Sequence, residues 1–375
     1  MKVINMYKSF KIKNFRCFEE LELNELARVN LIAGKNNVGK TTLLEAIFLH
    51  CGMYNPILIL KINAFRGIEV VKLPTIPSFE HPFNSIFKDF DVKKVIELSG
   101  ENDMLGGNRT IRISVPINSA ESEDFIQGNV SVVDERSIKY DPKIFGKITD
   151  TSMPINILKL EHEWSGGRSN YYLKMDKEKL TVDPTPPVLP FIAYFQSSQN
   201  ISILEEQAEL YDNLVINNKE DDILKALKII EPRLTKIRSV STKLGSILYG
   251  DIGIGNLIPL PLIGGGIVRL ASISLHIANA PKGVVLIDEF ENGLHHSVMT
   301  KIWQAVNIMS EETNTQIFAT THSWECIKSA HKAFSESKCY DFRLHRLEYF
   351  KDKIHAITYS QEDLDSAVNY DMEVR

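Results

Sequence analysis

The stretch Gly34-Lys35-Asn36-Asn37-Val38-Gly39-Lys40-Thr41 limits what this chain can fold into more than any other. It fits G-x-x-x-x-G-K-[ST] and stands between an apolar run, 29–33, and a helical pattern, 42–49. Strand, glycine loop and helix in that order is the context a phosphate loop requires. The glycines let backbone N–H groups turn inward around phosphate oxygens, and the helix start adds its positive dipole end. Gly34, Asn36, Asn37, Gly39 and Thr42 are therefore expected around the phosphates of a nucleotide, with Lys40 reaching the β- and γ-phosphates. The Thr41 hydroxyl is expected on Mg²⁺, which is usually held by one or two protein oxygens plus phosphate.

A chain of 375 residues holds two average domains or one large α/β domain with an insertion. With 43% hydrophobic and 24% charged residues, the composition is that of a soluble globular protein and excludes a disordered one. A net charge of −5 argues against a uniformly basic nucleic-acid coat, though a local basic face stays open. Cys17, Cys51, Cys326 and Cys339 are scattered with no C-x-x-C pair, so they read as free thiols of a reducing cytosol. Residues 1–18 lack the pattern of a signal peptide, and the apolar region 245–268 is broken by Asp251, Pro259, Pro261 and several glycines. The expected location is the cytoplasm, with no membrane span.

Strands are expected at 7–15, 20–23 and 28–33, placing the phosphate loop on the first sheet of the fold. Region 52–90 is rich in Pro and Gly breakers and reads only as loops and short helices. Strand-like runs at 94–99, 110–115, 129–133, 155–164 and 170–175 follow one another without helices, which implies an antiparallel sheet. The proline cluster at 182–190 is the clearest linker. A short strand at 191–195 and helices at 202–217 and 220–230 suggest a small helical lobe. From 236 onward strands (236–241, 247–249, 283–287, 315–320) alternate with helices (267–279, 297–312, 324–335), the signature of a parallel sheet with crossover helices. The expected organisation is a single unit in discontinuous lobes: a nucleotide-binding core of 1–51 and 236–375, a mostly β insertion at 52–181 and a helical lobe at 191–235.

The run Gly283-Val284-Val285-Leu286-Ile287-Asp288-Glu289 is an apolar strand ending in two acids. Ligands bind beyond the carboxyl ends of buried parallel strands, so both acids would be delivered to the phosphate loop. Asp288 suits the Mg²⁺ shell and Glu289 the general base that activates water. His322, after the strand 315–320, can reach a γ-phosphate from the same edge. Gly264-Gly265-Gly266 leave uncovered N–H groups at a helix start, an anion site whose ligand these residues alone do not name.

In this order, phosphate loop, glycine-rich helix start, Leu-Ile-Asp-Glu strand and Thr-Thr-His-Ser, the chain resembles the head domain of ABC-type ATPases. The N-terminal Ile12-Lys13-Asn14-Phe15-Arg16 and Leu43-Leu44-Glu45-Ala46-Ile47 are similar to the group containing SMC, RecF and OLD proteins, and Glu289–His295 to its OLD-like branch. The resemblance implies an α/β P-loop fold with an inserted antiparallel β lobe and helical lobe. It implies ATP and Mg²⁺ as cofactors, Arg16 at the nucleotide, Gly264–Gly266 as the signature motif, Glu291–His295 as the D-loop and His322 as the switch histidine. It also implies a homodimer closed through ATP.

The sequence departs from that family at three places. No Gln occurs in residues 1–126, so the Q-loop glutamine has no position there. The signature lacks its Ser, leaving Arg269 or Ser272 as substitutes. Asp363-Leu364-Asp365 reads as a solvated helix face, not as part of a Toprim nuclease. The expected function is ATP hydrolysis that drives a dimeric sensor or clamp for a separate effector, a nuclease among the candidates, in phage defence. A RecF-like repair ATPase with DNA as partner and a nucleotide-gated scaffold with little hydrolysis are the alternatives.

Overall fold

The computed structural model describes residues 7–67, 83–102, 106–116, 156–175, 180–189, 191–198, 204–243 and 245–374; the strand expected at 129–133 lies outside them. The core is a six-stranded sheet in the order Lys353–Tyr359, Phe342–Phe350, Val29–Gly34, Gln316–Thr320, Val284–Ile287, Ala193–Gln196. All neighbours are parallel except the first pair, a hairpin at one edge. Its central strands are apolar on both faces because both are covered. Val285 and Ile287 face the helices Gly265–Ala278, His296–Thr313 and Trp324–Ser335. Val284 and Leu286 face the helix Lys40–Cys51 and a second sheet.

That second sheet has seven antiparallel strands, Phe18–Leu23, Tyr7–Phe15, Ile96–Asn102, Gly107–Ser114, Asn156–Trp164, Gly167–Met175 and Leu180–Asp183. Period-two alternation turns Phe10 and Ile12 into the core and Lys11 and Lys13 outward, and the phase shifts at Asn14, whose φ is 55°, so that Phe15 is buried as well. The first two strands of the chain thus lie in a different sheet from the strand before the phosphate loop, contrary to the sequence expectation. The two form a local hairpin, and the first is joined on its other side by Ile96–Asn102, a partner from beyond residue 95 that no local pattern encodes.

Lys236–Thr242 and Gly245–Asp251 form a small antiparallel sheet with Ile258–Pro259 instead of joining the parallel core. The hairpin Phe342–Phe350/Lys353–Tyr359, unassigned from sequence, completes the core sheet edge. Its turn residues Lys351 and Asp352 both have positive φ, 51° and 62°, the conformation that two-residue hairpin turns favour, though here without the usual Asn-Gly. The helix Gln361–Asn369 buries Leu364 and exposes Asp363 and Asp365. Asp363 caps that helix with Ser360, and Asp365 accepts from His331 Nε2 at 3.0 Å. No helix among the described residues is long and apolar enough to cross a membrane.

Candidate nucleotide site

The phosphate loop rises from the carboxyl end of Val29–Gly34 and closes on the helix Lys40–Cys51. Two of its glycines are dictated by close approach. A Cβ on Gly34 would lie 2.4 Å from the carbonyl oxygen of Leu347, and one on Gly39, whose φ is 88°, would lie 2.6 Å from Cys17 Sγ. The strand 342–350 and the turn between the first two strands therefore clamp the loop from two sides.

Lys40 is buried, and its ammonium donates to the carbonyl oxygens of Gly34 at 2.7 Å and Lys35 at 2.9 Å. Burial pulls its pKa down to about 8, against the opposing pull of Asp288, Glu291 and Glu289. His322 Nδ1 lies 3.3 Å from Nζ of Lys40, and the His322 backbone N–H donates to Glu291 Oε1 at 2.8 Å. One hydrogen-bond chain thus joins the loop lysine, the strand-end histidine and the loop after Glu289.

Asp288 is 4% exposed. Its carboxylate accepts from three hydroxyls: Thr41 at 3.1 Å to both oxygens, Thr320 at 2.7 Å and Ser198 at 3.1 Å. Among the described residues no Lys, Arg or His lies within salt-bridge distance of it. A buried carboxylate that meets hydroxyls and no cation is the donor set a hard divalent ion fits. Thr41 and Asp288 would hold it, with Ser198 beside them.

The strand-end turn is braced from behind. The Glu289 N–H donates to Thr320 Oγ1 at 2.8 Å, and Arg269 Nη2 donates to the carbonyl oxygens of Asp288 at 2.7 Å and Glu289 at 2.9 Å. Glu289 itself has φ 49°. Its side chain lines a cleft of about 180 Å³ with Thr41, Arg66, Ser198 and Asp288. A carboxylate at the wall of a cleft beside the metal donors can accept a proton from water.

Some expected residues stand one layer back. Arg16 is committed to Glu45, Nε to Oε2 at 3.2 Å, and to Asn63 at 3.0 Å, and burial lowers its pKa to about 10. Thr42 Oγ1 accepts from Arg66 Nη2 at 3.0 Å. Of the two candidates for the signature Ser, Ser272 is 1% exposed and Arg269 braces the Asp288-Glu289 turn, so neither is presented outward. Gly264–Gly266 lie at the start of Gly265–Ala278, apart from the phosphate loop of the same chain, and pack against the loop after Glu291: a Cβ on Gly266 would lie 2.9 Å from the Gly293 carbonyl oxygen.

Sequence reasoning missed Gln196, Ser198 and Arg66. Gln196 ends the edge strand, in register with Ile287, and its backbone oxygen accepts from the Asp288 N–H at 2.9 Å. Its side-chain Oε1 is buried without a hydrogen-bond partner. Only the parallel pairing of residues 193–196 with 284–287 puts a glutamine beside Asp288, and that pairing has no local signal.

A parallel core sheet, a glycine phosphate loop and a strand-end carboxylate joined to the loop threonine define a P-loop ATPase, an enzyme that hydrolyses ATP. Residues 117–326, more than half of the chain, match the family described as “AAA domain, putative AbiEii toxin, Type IV TA system”, and the chain belongs to that family. The match takes in Gly264–Gly266, Asp288, Glu289 and His322. A Helicobacter pylori protein described as an ATP/GTP phosphatase is 23% identical over 339 residues, 86% of this chain and 87% of its own. A 44-residue stretch, 12% of this chain, is 50% identical to the uncharacterized protein MJECL10 of Methanocaldococcus jannaschii, of which it covers 20%. The SMC head bound to the C-winged helix domain of ScpA superposes on 96% of this chain and 100% of its own with a TM-score of 0.51 at 11% identity, a likeness of fold.

Proposed function

We propose that the chain is a Mg²⁺-dependent ATPase, two copies of which close face to face on ATP and reopen after hydrolysis, acting as sensor or clamp for a separate effector protein. The observation that carries this reading is the Thr41–Asp288 contact at 3.1 Å, which brings the loop hydroxyl and a buried carboxylate together as a cation site. In this reading Lys40 and the loop amides hold the β- and γ-phosphates, Glu289 takes the proton of the attacking water, and His322 orients on the γ-phosphate while Glu291 fixes its backbone. When bound, Mg²⁺ supplies charge neutralisation at the phosphates. The relative described as acting on ATP and GTP supports turnover of such nucleotides here.

The dimer rests on a different observation. Gly265 is exposed, and a Cβ there would meet nothing within 4 Å. Leu262 and Ile254 nearby are 77% and 58% exposed, apolar surface of the kind an interface covers. A helix start with open N–H groups, apart from its own phosphate loop, is complementary to the γ-phosphate held by a second copy. In this reading the chain is one ATPase unit: core 1–51 and 236–375, β lobe 52–181 sharing its sheet with the first two strands, and helical lobe 191–235, whose leading strand Ala193–Gln196 belongs to the core sheet instead. An OLD-like role in phage defence is the cellular setting suggested by fold analogy, and the effector would dock away from the nucleotide face.

Glu289→Gln tests both halves. Removing a general base is worth about 10²–10⁴-fold in rate, so the variant should bind ATP, turn over slowly and sediment as a dimer with MgATP. Wild-type turnover would remove Glu289 as the base, and an ATP-loaded monomer would remove the closing dimer.

A further inference from the structure

We infer that Tyr349, at the tip of the edge hairpin, is the platform on which the nucleobase stacks. This rests on the reading of Gly34–Thr41 as the triphosphate cradle and adds to it where the base lies.

Leu347 is the register partner of Gly34, so the strand Phe342–Phe350 runs alongside the phosphate loop and overshoots it. Tyr349 stands two residues further on, roughly 7 Å along the strand at 3.3 Å per residue, level with the loop and one strand spacing from it. Successive side chains alternate faces. Leu347 packs in the core that contains the phosphate-loop helix, so Tyr349 leaves the sheet on that same face. Phe350 leaves on the opposite face and is engaged there, with Lys351 Nζ over its ring at 5.2 Å and His355 at 6.2 Å. Among the described residues the Tyr349 side chain has no ring or hydrogen-bond contact, and Tyr349 is 58% exposed.

The cation donors Thr41 and Asp288 fix the γ end of a triphosphate toward the strand Val284–Ile287, on one side of Val29–Gly34. Across the loop, the α-phosphate, sugar and base must then run out toward the other side, where the neighbouring strand is Phe342–Phe350. The exit is anchored: Lys353 of the hairpin pairs with Glu19 at 3.3 Å, next to the turn that packs on Gly39. An aromatic ring carried past the phosphate loop on the neighbouring strand, on the side opposite the metal donors, is matched chemically by a flat heteroaromatic base. Stacking reads a π-face and not a hydrogen-bonding edge, so adenine and guanine should both be accepted.

The test is titration of wild type, Tyr349→Ala and Tyr349→Trp with ATP and with inorganic tripolyphosphate, both with Mg²⁺. The expected result is about tenfold weaker ATP binding for Tyr349→Ala, equivalent to about 1.4 kcal/mol, with tripolyphosphate within twofold of wild type and Tyr349→Trp binding ATP as well as wild type. Unchanged ATP affinity in Tyr349→Ala would overturn the proposal. Equal losses for both ligands would also overturn it, because the residue would then act on the cradle or the fold. A wild type that binds neither ligand would remove the phosphate-loop reading itself, and this inference with it.

Discussion

Thr41 Oγ1 lies 3.1 Å from both carboxylate oxygens of Asp288, although 247 residues separate the two in sequence. The pair closes the distance between the helix that follows the phosphate loop and the end of an inner strand of the core sheet. With Thr320 and Ser198 also donating to Asp288, the carboxylate is held by hydroxyls that leave its charge for a cation. Asp288→Asn should abolish the gain in ATP affinity that Mg²⁺ confers while leaving metal-free ATP binding within a few-fold. Calorimetry with Mg²⁺ and with EDTA reads both, and an undiminished Mg²⁺ effect would take Asp288 out of the cation site.

Lys40→Ala removes the ammonium that lies at hydrogen-bond distance of two loop carbonyls and of His322. A buried charge-assisted contact is worth about 1.5–3 kcal/mol, so ATP affinity should fall by at least tenfold. A direct titration that returns wild-type affinity would contradict the role.

How far the sequence revealed this site depends on how local each part is. Gly34–Thr41 and Val284–Glu289 are contiguous, with strand and helix patterns on either side, so their elements and order were readable. The meeting of Thr41 with Asp288 was readable only as an expectation from parallel-sheet geometry. Gln196 and Ser198 were invisible because a four-residue edge strand acquires meaning only through its register with Val284–Ile287. The hairpin that carries Tyr349 alternates apolar and polar residues at Phe342, Arg343 and Leu344, but its Lys351-Asp352 turn lacks glycine, and without a turn signal the two strands did not stand out.

The triple glycine separates fold from assembly. Gly266→Ala places a Cβ 2.9 Å from the Gly293 carbonyl oxygen, so it should destabilise the monomer by about 1–3 kcal/mol, as overpacking does. At Gly265 a Cβ meets open space. Gly265→Glu should therefore leave the urea midpoint near wild type and place a negative charge where the partner's γ-phosphate would approach. In the Glu289→Gln background it should prevent the MgATP-dependent dimer in sedimentation; a dimer that forms regardless would move the interface elsewhere.

Glu45 is fully buried between two guanidiniums, Arg16 at 3.2 Å and Arg66 at 2.6 Å. Both arginines come from outside the helix, so this carboxylate ties the helix Lys40–Cys51 to the N-terminal turn and to the segment after Leu58–Ala64. Breaking a buried pair leaves uncompensated charge and costs about 3–5 kcal/mol. Glu45→Ala should lower denaturation stability toward that amount, less the share of Arg66 that solvent recovers. A loss under about 1 kcal/mol would show that water replaces the carboxylate.

Acid should weaken the fold through buried imidazoles. His50 and His162 are pulled down to about 4, and His345 to about 3, mainly by burial. The His50 contacts suit a neutral ring, since Nδ1 can accept from the Tyr7 hydroxyl at 2.8 Å while Nε2 donates to the Arg109 carbonyl at 3.0 Å. In the unfolded chain each ring protonates near 6.5, so as pH falls the unfolded state takes up protons first. Their contribution is intact above about pH 6.5 and is lost as pH falls toward 4, by about 1–2 kcal/mol per ring at pH 5. His162 is the ring to change, because both its nitrogens are buried without partners and it stacks on Trp164 at 4.8 Å. His162→Phe keeps the stack and removes the titration, so the drop in urea midpoint between pH 7 and pH 5 should shrink. An identical drop in the variant would mean that His162 does not bind its proton in this window.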